Sequence, residues 1–427
     1  MKIVTVHRGA RDGYHVARAL AEAGLLETLV TDLYWPSDRS WARGLDAITR
    51  LHYSELLQRR HAENVPSDCV KSCWGSGASS LLLSKMDRLP FTWKRKAVRW
   101  CDNTLGQTAG RIASERGAAL LSYSYYGHSA FSRFTGKQPR ILFQLHPHPV
   151  SVRTILEKER QLYPDCAASL DKEWELALPE ADFNRLAEEP SMADYWLAAS
   201  QFTKRTLTDA GIPGERIAVV PYGTDLSKFA PGVQRTGLSG RPLRLLFVGT
   251  LGQRKGVRYL LEALETFSPG AVELTLCGRP VDDLSLFRNA RVAVRVCPSI
   301  SEPALLEAYR HTDLFVFPSL AEGFGHVLLE AMASGLPILA TDRTAAPDLI
   351  RHGEEGFLLK AGSSSDLAFH IEKFLSRPAL LKTMGAAARN RAEFFTWSKF
   401  RQGVVDFVDS INSGAAQTRT LQPCSRY

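Results

Sequence analysis

The sequence has no run of eighteen or more apolar residues, and this absence predicts that no transmembrane helix is present. The first apolar stretch, residues 3–6, is too short and too interrupted for a signal peptide, and we interpret it as a β-strand. No internal repeat and no low-complexity tract occurs. These absences predict a cytoplasmic protein, with at most a peripheral contact at the inner face of a membrane.

Cysteine is present without a recognisable pairing pattern. The seven cysteines are scattered from Cys69 to Cys424, and Cys73 lies close to Cys69, but no second pair completes a zinc site. We therefore expect free thiols in a reducing compartment. No Asp-x-Asp motif follows a predicted strand, so we expect that neither a metal nor another cofactor is required.

Nucleic-acid binding is a further function class that the sequence does not indicate. The net charge of +8 fits either an anionic partner or an ordinary basic surface. No array of basic and aromatic residues of the RNA-binding type is present. Residues 88–100 carry five basic side chains and no acidic one, interleaved with Trp93 and Trp100. An anionic membrane surface and a solvated helix face both remain open for this segment.

The chain does have the length for two domains, since 427 residues exceed what one hydrophobic core usually supports. Predicted strands and helices alternate in both halves, which is typical of parallel α/β sheets. Residues 230–242 are rich in Gly, Pro and polar residues, as linkers are. We predict a first domain over 1–228 and a second over 229–395.

The most informative stretch lies in the second half. A short apolar run, residues 314–317, is predicted as a buried parallel strand. It is followed by a turn at 323–325 with two glycines and by a helix that begins at His326. Gly335 ends that helix, and Pro337 prevents its continuation.

This strand–turn–helix arrangement predicts an anion site. The backbone N–H groups of Gly323, Phe324 and Gly325 are unpaired at a helix N-terminus, where the helix dipole favours negative charge. Glu322 and Glu330 flank the turn, and their carboxylates can accept hydrogen bonds from sugar hydroxyls. A phosphate site between two carboxylates indicates a ligand such as a nucleotide sugar. A plain turn with two surface glutamates is the alternative.

The whole run from Pro318 to Pro337 resembles the signature of retaining glycosyltransferases of the GT-B fold, family 4 (glycosyltransferase group 1) type. It shares Pro-Ser, Glu-x7-Glu around Gly-Phe-Gly, and Glu-Ala-Met-Ala-x-Gly-x-Pro. The resemblance implies two α/β doubly wound, Rossmann-like domains that face a central cleft. We also expect a C-terminal helix over 396–412 that crosses back to the first domain, and a disordered tail over 413–427.

The resemblance implies roles for the donor-site residues. The turn 323–325 and Lys255 would hold the diphosphate of a nucleotide-sugar donor. Glu330 would bind the ribose hydroxyls, and Glu322 would bind the donor sugar.

The loop after the predicted strand 243–248 resembles the family's Gly-Arg-Leu-x3-Lys-Gly, and Lys255 matches its Lys. Thr250 stands where the family has its Arg, which is a departure. Arg254 is our candidate for the second cation, and an ordinary loop charge is the alternative.

Two loops of the first half are candidates for the opposite side of the cleft. Gly9 and Gly13 follow the first predicted strand, without the spacing of a dinucleotide-binding fingerprint. Strand 140–145 delivers His146 and His148 to the strand end, where ligands of parallel sheets bind. A structural role for these histidines stays open. The resemblance implies that His146 faces the transferred sugar, with His148 as the second choice.

The function that the resemblance implies is transfer of a sugar, with retention, from a nucleoside-diphosphate sugar to an acceptor hydroxyl. A hexosyltransferase is expected, with His146 and Glu322 as its catalytic residues and with an unknown acceptor on a glycan, a lipid-linked molecule or a small molecule. No carboxylate is placed as a nucleophile, so a two-carboxylate glycosidase is not indicated. A non-catalytic nucleotide-sugar-binding GT-B protein and a GT-B sugar-nucleotide epimerase remain alternatives.

Overall fold

The computed structural model describes residues 1–39, 60–75, 77, 91–232, 238, 240–281 and 290–414. Most of the predicted tail over 413–427, part of the linker over 230–242 and residues 88–90 of the basic segment lie outside these ranges.

In the described part of the first half, seven parallel strands form one sheet in the spatial order β3-β2-β1-β4-β5-β6-β7. The strands are β1 (Ile3–Val6), β2 (Leu26–Thr31), β3 (Val70–Ser72), β4 (Ala119–Tyr123), β5 (Arg140–Gln144), β6 (Tyr195–Ala198) and β7 (Ile217–Val219). The helices are α1 (His15–Glu22), α2 (Phe91–Arg116), α3 (Gly127–Arg133), α4 (Pro149–Leu162), α5 (Ala167–Leu170), α6 (Trp174–Ala177), α7 (Glu180–Glu188) and α8 (Gln201–Asp209).

The described part of the second half contains a six-stranded parallel sheet in the order β10-β9-β8-β11-β12-β13. Its strands are β8 (Leu243–Val248), β9 (Val272–Cys277), β10 (Ala293–Cys297), β11 (Leu314–Phe317), β12 (Ile338–Thr341) and β13 (Gly356–Leu359). The helices are α9 (Val257–Leu264), α10 (Glu302–Arg310), α11 (His326–Ala333), α12 (Ala346–Leu349), α13 (Ser364–Ser376), α14 (Ala379–Ala392) and α15 (Trp397–Asn412).

The central strands of both sheets are apolar over nearly their whole length because helices cover both faces. Every residue of β1, β4, β11 and β12 is buried. The short edge strand β3, with sequence Val-Lys-Ser, is half-buried and was not predicted, because three residues of mixed polarity give no apolar pattern.

The strand orders place one topological switch point in each sheet, between β1 and β4 and between β8 and β11. Ligands of open parallel sheets bind outside the carboxyl ends of the strands at such points. The loops that follow these four strands therefore determine which side chains reach a bound molecule.

The last helix, α15, connects the end of the chain to the first domain. Trp397 stacks on His15 of α1 with ring centroids 4.0 Å apart, and Arg401 donates to Glu22 at 2.9 Å. Tyr222 lies between the two domains, with its ring 5.1 Å from those of both Phe324 and Phe400. These aromatic contacts form an apolar floor beneath the space between the two sheets.

Candidate functional site

A cleft of about 470 Å³ opens between the two domains at the carboxyl ends of the central strands. The loops after β1 and β5 supply one wall, and the loops after β8 and β11 supply the other. Its lining includes the following residues that bear polar groups: Arg11, Asp12, His146, Tyr222, Thr250, Lys255, Glu322 and His326. The cleft therefore brings the predicted residues His146, Lys255 and Glu322 together.

The turn before α11 presents backbone donors to this cleft. The N–H groups of Gly323, Phe324 and Gly325 donate to no acceptor among the described residues. Gly325 caps the helix with φ +86°, a conformation that favours glycine. An anion at this point would receive hydrogen bonds and the positive end of the helix dipole.

Gly323 needs to be glycine for a different reason. A Cβ atom at this position would lie 1.9 Å from the carbonyl oxygen of Leu145 in the first domain. The carbonyl of Gly323 also accepts a hydrogen bond of 2.6 Å from the Ser200 hydroxyl. Gly323 thus lies against the first domain, whereas Phe324 and Gly325 line the cleft.

Lys255 and Glu322 form an ion pair within the cleft, and both side chains are mostly buried. Burial and the nearby Arg254 lower the pKa of Lys255 to about 7, while the contact with the Glu322 carboxylate favours its charged form. Lys255 also lies 5.5 Å from the centre of the Phe317 ring. The pair can offer a cation to a phosphate and a carboxylate to a sugar hydroxyl.

Glu330 lies one helical turn beyond His326 on α11. Its carboxylate accepts a 2.9 Å hydrogen bond from the hydroxyl of Tyr309, and burial raises its pKa. It is absent from the described lining of the cleft, so the predicted ribose contact would lie beside this cavity.

Arg254 does not face the cleft. Its guanidinium donates to Glu173 at 3.0 Å, to Glu175 at 3.2 Å and to the carbonyl of Ala321 at 3.0 Å. Burial opposes its charge, but these two carboxylates raise its pKa above the ordinary value. The predicted role of Arg254 as a diphosphate cation does not fit this geometry, because the side chain ties the second domain to the first.

His146 follows β5 and lines the first-domain wall of the cleft. Burial and the positive charges of Arg254, Arg11 and Lys255 lower its pKa to about 3, so its imidazole is neutral at pH 7. The Nδ1 atom is buried and has no hydrogen-bond partner among the described residues. Tyr125 contacts the ring edge-on at 5.5 Å. A neutral imidazole at this position can hydrogen-bond a sugar hydroxyl.

His148 instead has a structural position at the start of α4. Its Nδ1 atom accepts a hydrogen bond of 3.3 Å from the backbone N–H of Val150. The backbone N–H of His148 donates to the hydroxyl of Thr206 at 2.9 Å. Pro149 occupies the first helical turn, which is a local signal for this capping role. His148 is therefore a helix cap in this structure rather than part of the described cleft lining.

The loop after β1 is held in an unusual conformation. Asp12, Gly13 and Tyr14 have φ values of 47°, 61° and 60°, although two of the three are not glycine. The Asp12 carboxylate accepts a 2.7 Å hydrogen bond from Tyr123, and burial raises its pKa to about 7. The N–H of Gly9 donates to Asp32 at 2.8 Å. Strain of this kind occurs at ligand sites.

Sequence reasoning missed four cleft residues: Arg11, Asp12, Tyr222 and His326. Arg11 and Asp12 lie between the two glycines of the loop that the sequence did single out. Burial lowers the pKa of His326 to about 4. His326 occupies the first position of α11, so the predicted helix start was an available signal for it.

The described part of the basic segment, residues 91–100, begins helix α2. Trp93 and Trp100 are 65% and 56% exposed, and the Lys96 ammonium lies 5.9 Å from the Trp93 ring. Arg99 instead forms an ion pair with Asp182 of α7. The outward face of this helix start therefore combines lysine with tryptophan.

None of the helices in the described ranges is both long and apolar enough to cross a membrane. Within those ranges, no three His, Cys, Asp or Glu side chains lie grouped as a metal ion would require.

Residues 233–391 match the family model described as glycosyl transferases group 1. A curated relative, the D-inositol 3-phosphate glycosyltransferase of Rhodococcus jostii, is 30% identical over 215 aligned residues, in a match that covers 46% of this chain and 48% of that protein. The chain thus spans about half the length of the curated relatives it matches first.

Two solved structures share the fold over nearly the whole chain. HepE of Anabaena, solved in complex with UDP, has a TM-score of 0.60 at 17% identity, covering 96% of this chain and 100% of that one. The sucrose-phosphate synthase of Thermosynechococcus elongatus has a TM-score of 0.63 at 17% identity, covering 97% and 100%. These likenesses confirm the predicted architecture of two Rossmann-like domains, the GT-B fold.

Proposed function

We propose that this chain, whose residues 233–391 match the family model of glycosyl transferases group 1, is a retaining glycosyltransferase. It would transfer a hexosyl group from a nucleoside-diphosphate sugar to a hydroxyl of a glycan, a lipid-linked molecule or a small molecule. Its position would be cytoplasmic, and Lys96 with Trp93 on α2 would contact an anionic membrane surface.

The observation that carries this proposal is the ion pair of Lys255 and Glu322 beside the free backbone donors of Phe324 and Gly325. The donors and Lys255 would bind the diphosphate and stabilise the negative charge that develops on it as the leaving group. Glu322 would hold a hydroxyl of the transferred sugar. With these groups in place, we propose that the reaction needs neither a metal nor another cofactor.

His146 would contact the transferred sugar from the first-domain wall. Its imidazole is neutral, because the neighbouring cations and burial lower its pKa to about 3. A neutral ring can donate one hydrogen bond and accept another without adding charge near the reacting carbon. Glu330 would bind the ribose of the nucleotide beside the cleft, with Tyr309 orienting its carboxylate.

A nucleotide ligand is supported by structural likeness as well as by the cleft. HepE, which shares the fold, has been solved with UDP and, in a structure with a TM-score of 0.56 to this chain, with UDP-glucose. UDP and its sugars are therefore the first compounds to test.

The test is a thermal-shift panel of UDP, GDP, ADP and their common sugars with the wild-type protein, Glu330→Ala and Glu393→Ala. A ligand that binds only the native state at a hundred times its dissociation constant adds about 2.7 kcal/mol of stability. We expect one base to raise the melting temperature of the wild type and of Glu393→Ala, an exposed control, but not of Glu330→Ala. A panel without any shift would contradict the proposal.

A positive panel still leaves the type of reaction to be decided. Incubation of the donor with acceptor extracts should release the nucleoside diphosphate and a glycosylated product whose anomeric configuration matches the donor. Binding without release would indicate a non-catalytic protein, and interconversion of the donor sugar without transfer would indicate an epimerase.

A further inference from the structure

The second-domain wall of the cleft carries little net positive charge for a diphosphate. Lys255 is its cation in the described lining, and Glu322 is in contact with it. Burial and the nearby Arg254 lower the pKa of Lys255, so its charge is costly to hold, and the Glu322 carboxylate offsets that charge. Thr250 contributes only a neutral hydroxyl to the cleft lining. The guanidinium of Arg254 is hydrogen-bonded to the carboxylates of Glu173 and Glu175.

Arg11 is the cation on the opposite wall. It follows β1 at the switch point of the first sheet and lines the same cavity as Lys255 and Thr250. Its positive charge reaches the end of β5, since it contributes to the lowered pKa of His146. The guanidinium forms no hydrogen bond or ion pair with another residue of the described ranges, and the Tyr126 ring centre lies 5.9 Å from it.

The loop that carries Arg11 is fixed on both sides. Gly9 is tied to Asp32, and Asp12 is tied to Tyr123 by a 2.7 Å hydrogen bond. The left-handed backbone at Asp12 and Tyr14 is costly for residues with a Cβ and persists only where the surroundings impose it. Arg11 is thus a charged, uncommitted side chain on a pre-organised loop, which favours ligand binding over a structural role.

We propose that Arg11 supplies, from the first domain, the second cation for the donor diphosphate, the role that the second domain leaves vacant at Thr250. This inference rests on the proposed function. Arginine suits the role because its planar fork of donors matches phosphate oxygens and its charge persists at any physiological pH. The diphosphate then contacts both domains, so the site needs residues from both walls.

Arg11 acts on the leaving group in the transfer step. The bond between the anomeric carbon and the terminal phosphate oxygen breaks, and its electron pair remains on that oxygen. A bond from the acceptor oxygen to the same face of the anomeric carbon forms, and the acceptor's proton passes to the departing phosphate. Arg11 and Lys255 stabilise the negative charge that develops on the phosphate.

The experiment compares the affinities of nucleoside diphosphates and monophosphates by calorimetry, with the pairs UDP/UMP, GDP/GMP and ADP/AMP. Charge-assisted hydrogen bonds contribute about 1.5–3 kcal/mol, so Arg11→Gln should reduce the diphosphate-to-monophosphate affinity ratio by roughly tenfold to hundredfold. Arg8→Gln is the matched control, because Arg8 lies on the same loop but faces Asp102 at 3.6 Å. The diphosphate-to-monophosphate affinity ratio of Arg8→Gln should equal that of the wild type.

A double variant separates a lost phosphate contact from a disturbed loop. Thr250→Arg in the Arg11→Gln background returns a cation to the cavity from the other wall and should restore most of the ratio. An unchanged ratio in Arg11→Gln, with normal diphosphate binding by the wild type, would overturn this inference alone. Absence of diphosphate binding by the wild type would overturn the proposed function and this inference with it.

Discussion

The two walls of the cleft present different kinds of chemical groups to the space between them. The second-domain wall uses backbone amides at the start of α11 and one ion pair, Lys255 with Glu322. The first-domain wall uses side chains, His146 and Arg11, held by buried neighbours and by a strained loop. Backbone donors depend on a local chain path, whereas the first wall depends on residues that lie far apart in the sequence. The two walls should therefore respond differently to substitution.

The strongest disruption of the second wall is expected from Glu322→Ala. It removes the proposed sugar contact and leaves Lys255 without its carboxylate, so release of nucleoside diphosphate from the donor should fall by about 10³-fold. The rate is measured at saturating donor, with Glu393→Ala as an exposed control that should retain full turnover. Wild-type turnover in Glu322→Ala would show that Glu322 has no role in the transfer reaction.

Arg254→Gln tests whether this side chain belongs to the donor site or to the junction of the domains. Removing one partner of a buried ion pair costs about 3 kcal/mol, and here it leaves the buried carboxylate of Glu175 uncompensated. We expect this loss in the free energy of unfolding by urea titration, with an unchanged diphosphate-to-monophosphate affinity ratio. A lower diphosphate-to-monophosphate affinity ratio, with the stability of the wild type, would indicate instead that Arg254 binds the diphosphate.

The pH dependence of diphosphate affinity should reveal the charge state of Lys255. Its pKa is about 7, and an anion favours the protonated form, so affinity is highest below pH 7 and falls up to tenfold per unit above it. Lys255→Arg should flatten this fall, because arginine stays charged. Asp12, with a pKa raised to about 7, adds a fall of the same sign, which Asp12→Asn removes. Identical profiles for all three proteins would contradict this account.

The smallest effect is expected at the helix start outside the cleft. Each lysine near an anionic membrane contributes about 1 kcal/mol, so Lys94→Glu with Lys96→Glu should weaken binding to phosphatidylglycerol vesicles tenfold or more. The control reverses two exposed charges elsewhere in the same domain, Lys137→Glu with Lys158→Glu. Equal vesicle binding by both double variants would contradict a membrane contact at the start of α2.

The strands and helices of the second domain followed from the sequence because local signals mark them. The bounds of β8 and β11 agree with those predicted, since apolar runs are bordered there by polar or turn residues. The exposed backbone donors of the turn at residues 323–325 also followed from the sequence, because a glycine turn before a helix leaves such donors unpaired wherever it occurs. The sequence did not show why residue 323 must be glycine, because the restriction comes from Leu145 in the other domain.

The first-domain wall was less accessible to sequence reasoning. Arg11 reaches the cleft through a left-handed path at Asp12 and Tyr14, which the propensities of these residues do not favour. The partners of Arg254 lie about eighty positions earlier, so nothing near it in the sequence indicated an ion pair. His148 was the exception, since the proline after it was a sufficient signal for a helix cap.

The contact between Gly323 and Leu145 limits how the halves of this chain can be exchanged. A Cβ atom at position 323 would lie 1.9 Å from the carbonyl oxygen of Leu145. The turn at residues 323–325 therefore leaves no room for a first domain in which the end of β5 is shifted toward it. A chimera that joined a foreign first domain to residues 243–359 would bring the end of a different strand to this point. A working chimera therefore requires that residues 144–146 are transferred together with the second domain, so the first domain should diversify by change within its loops rather than by exchange as a whole.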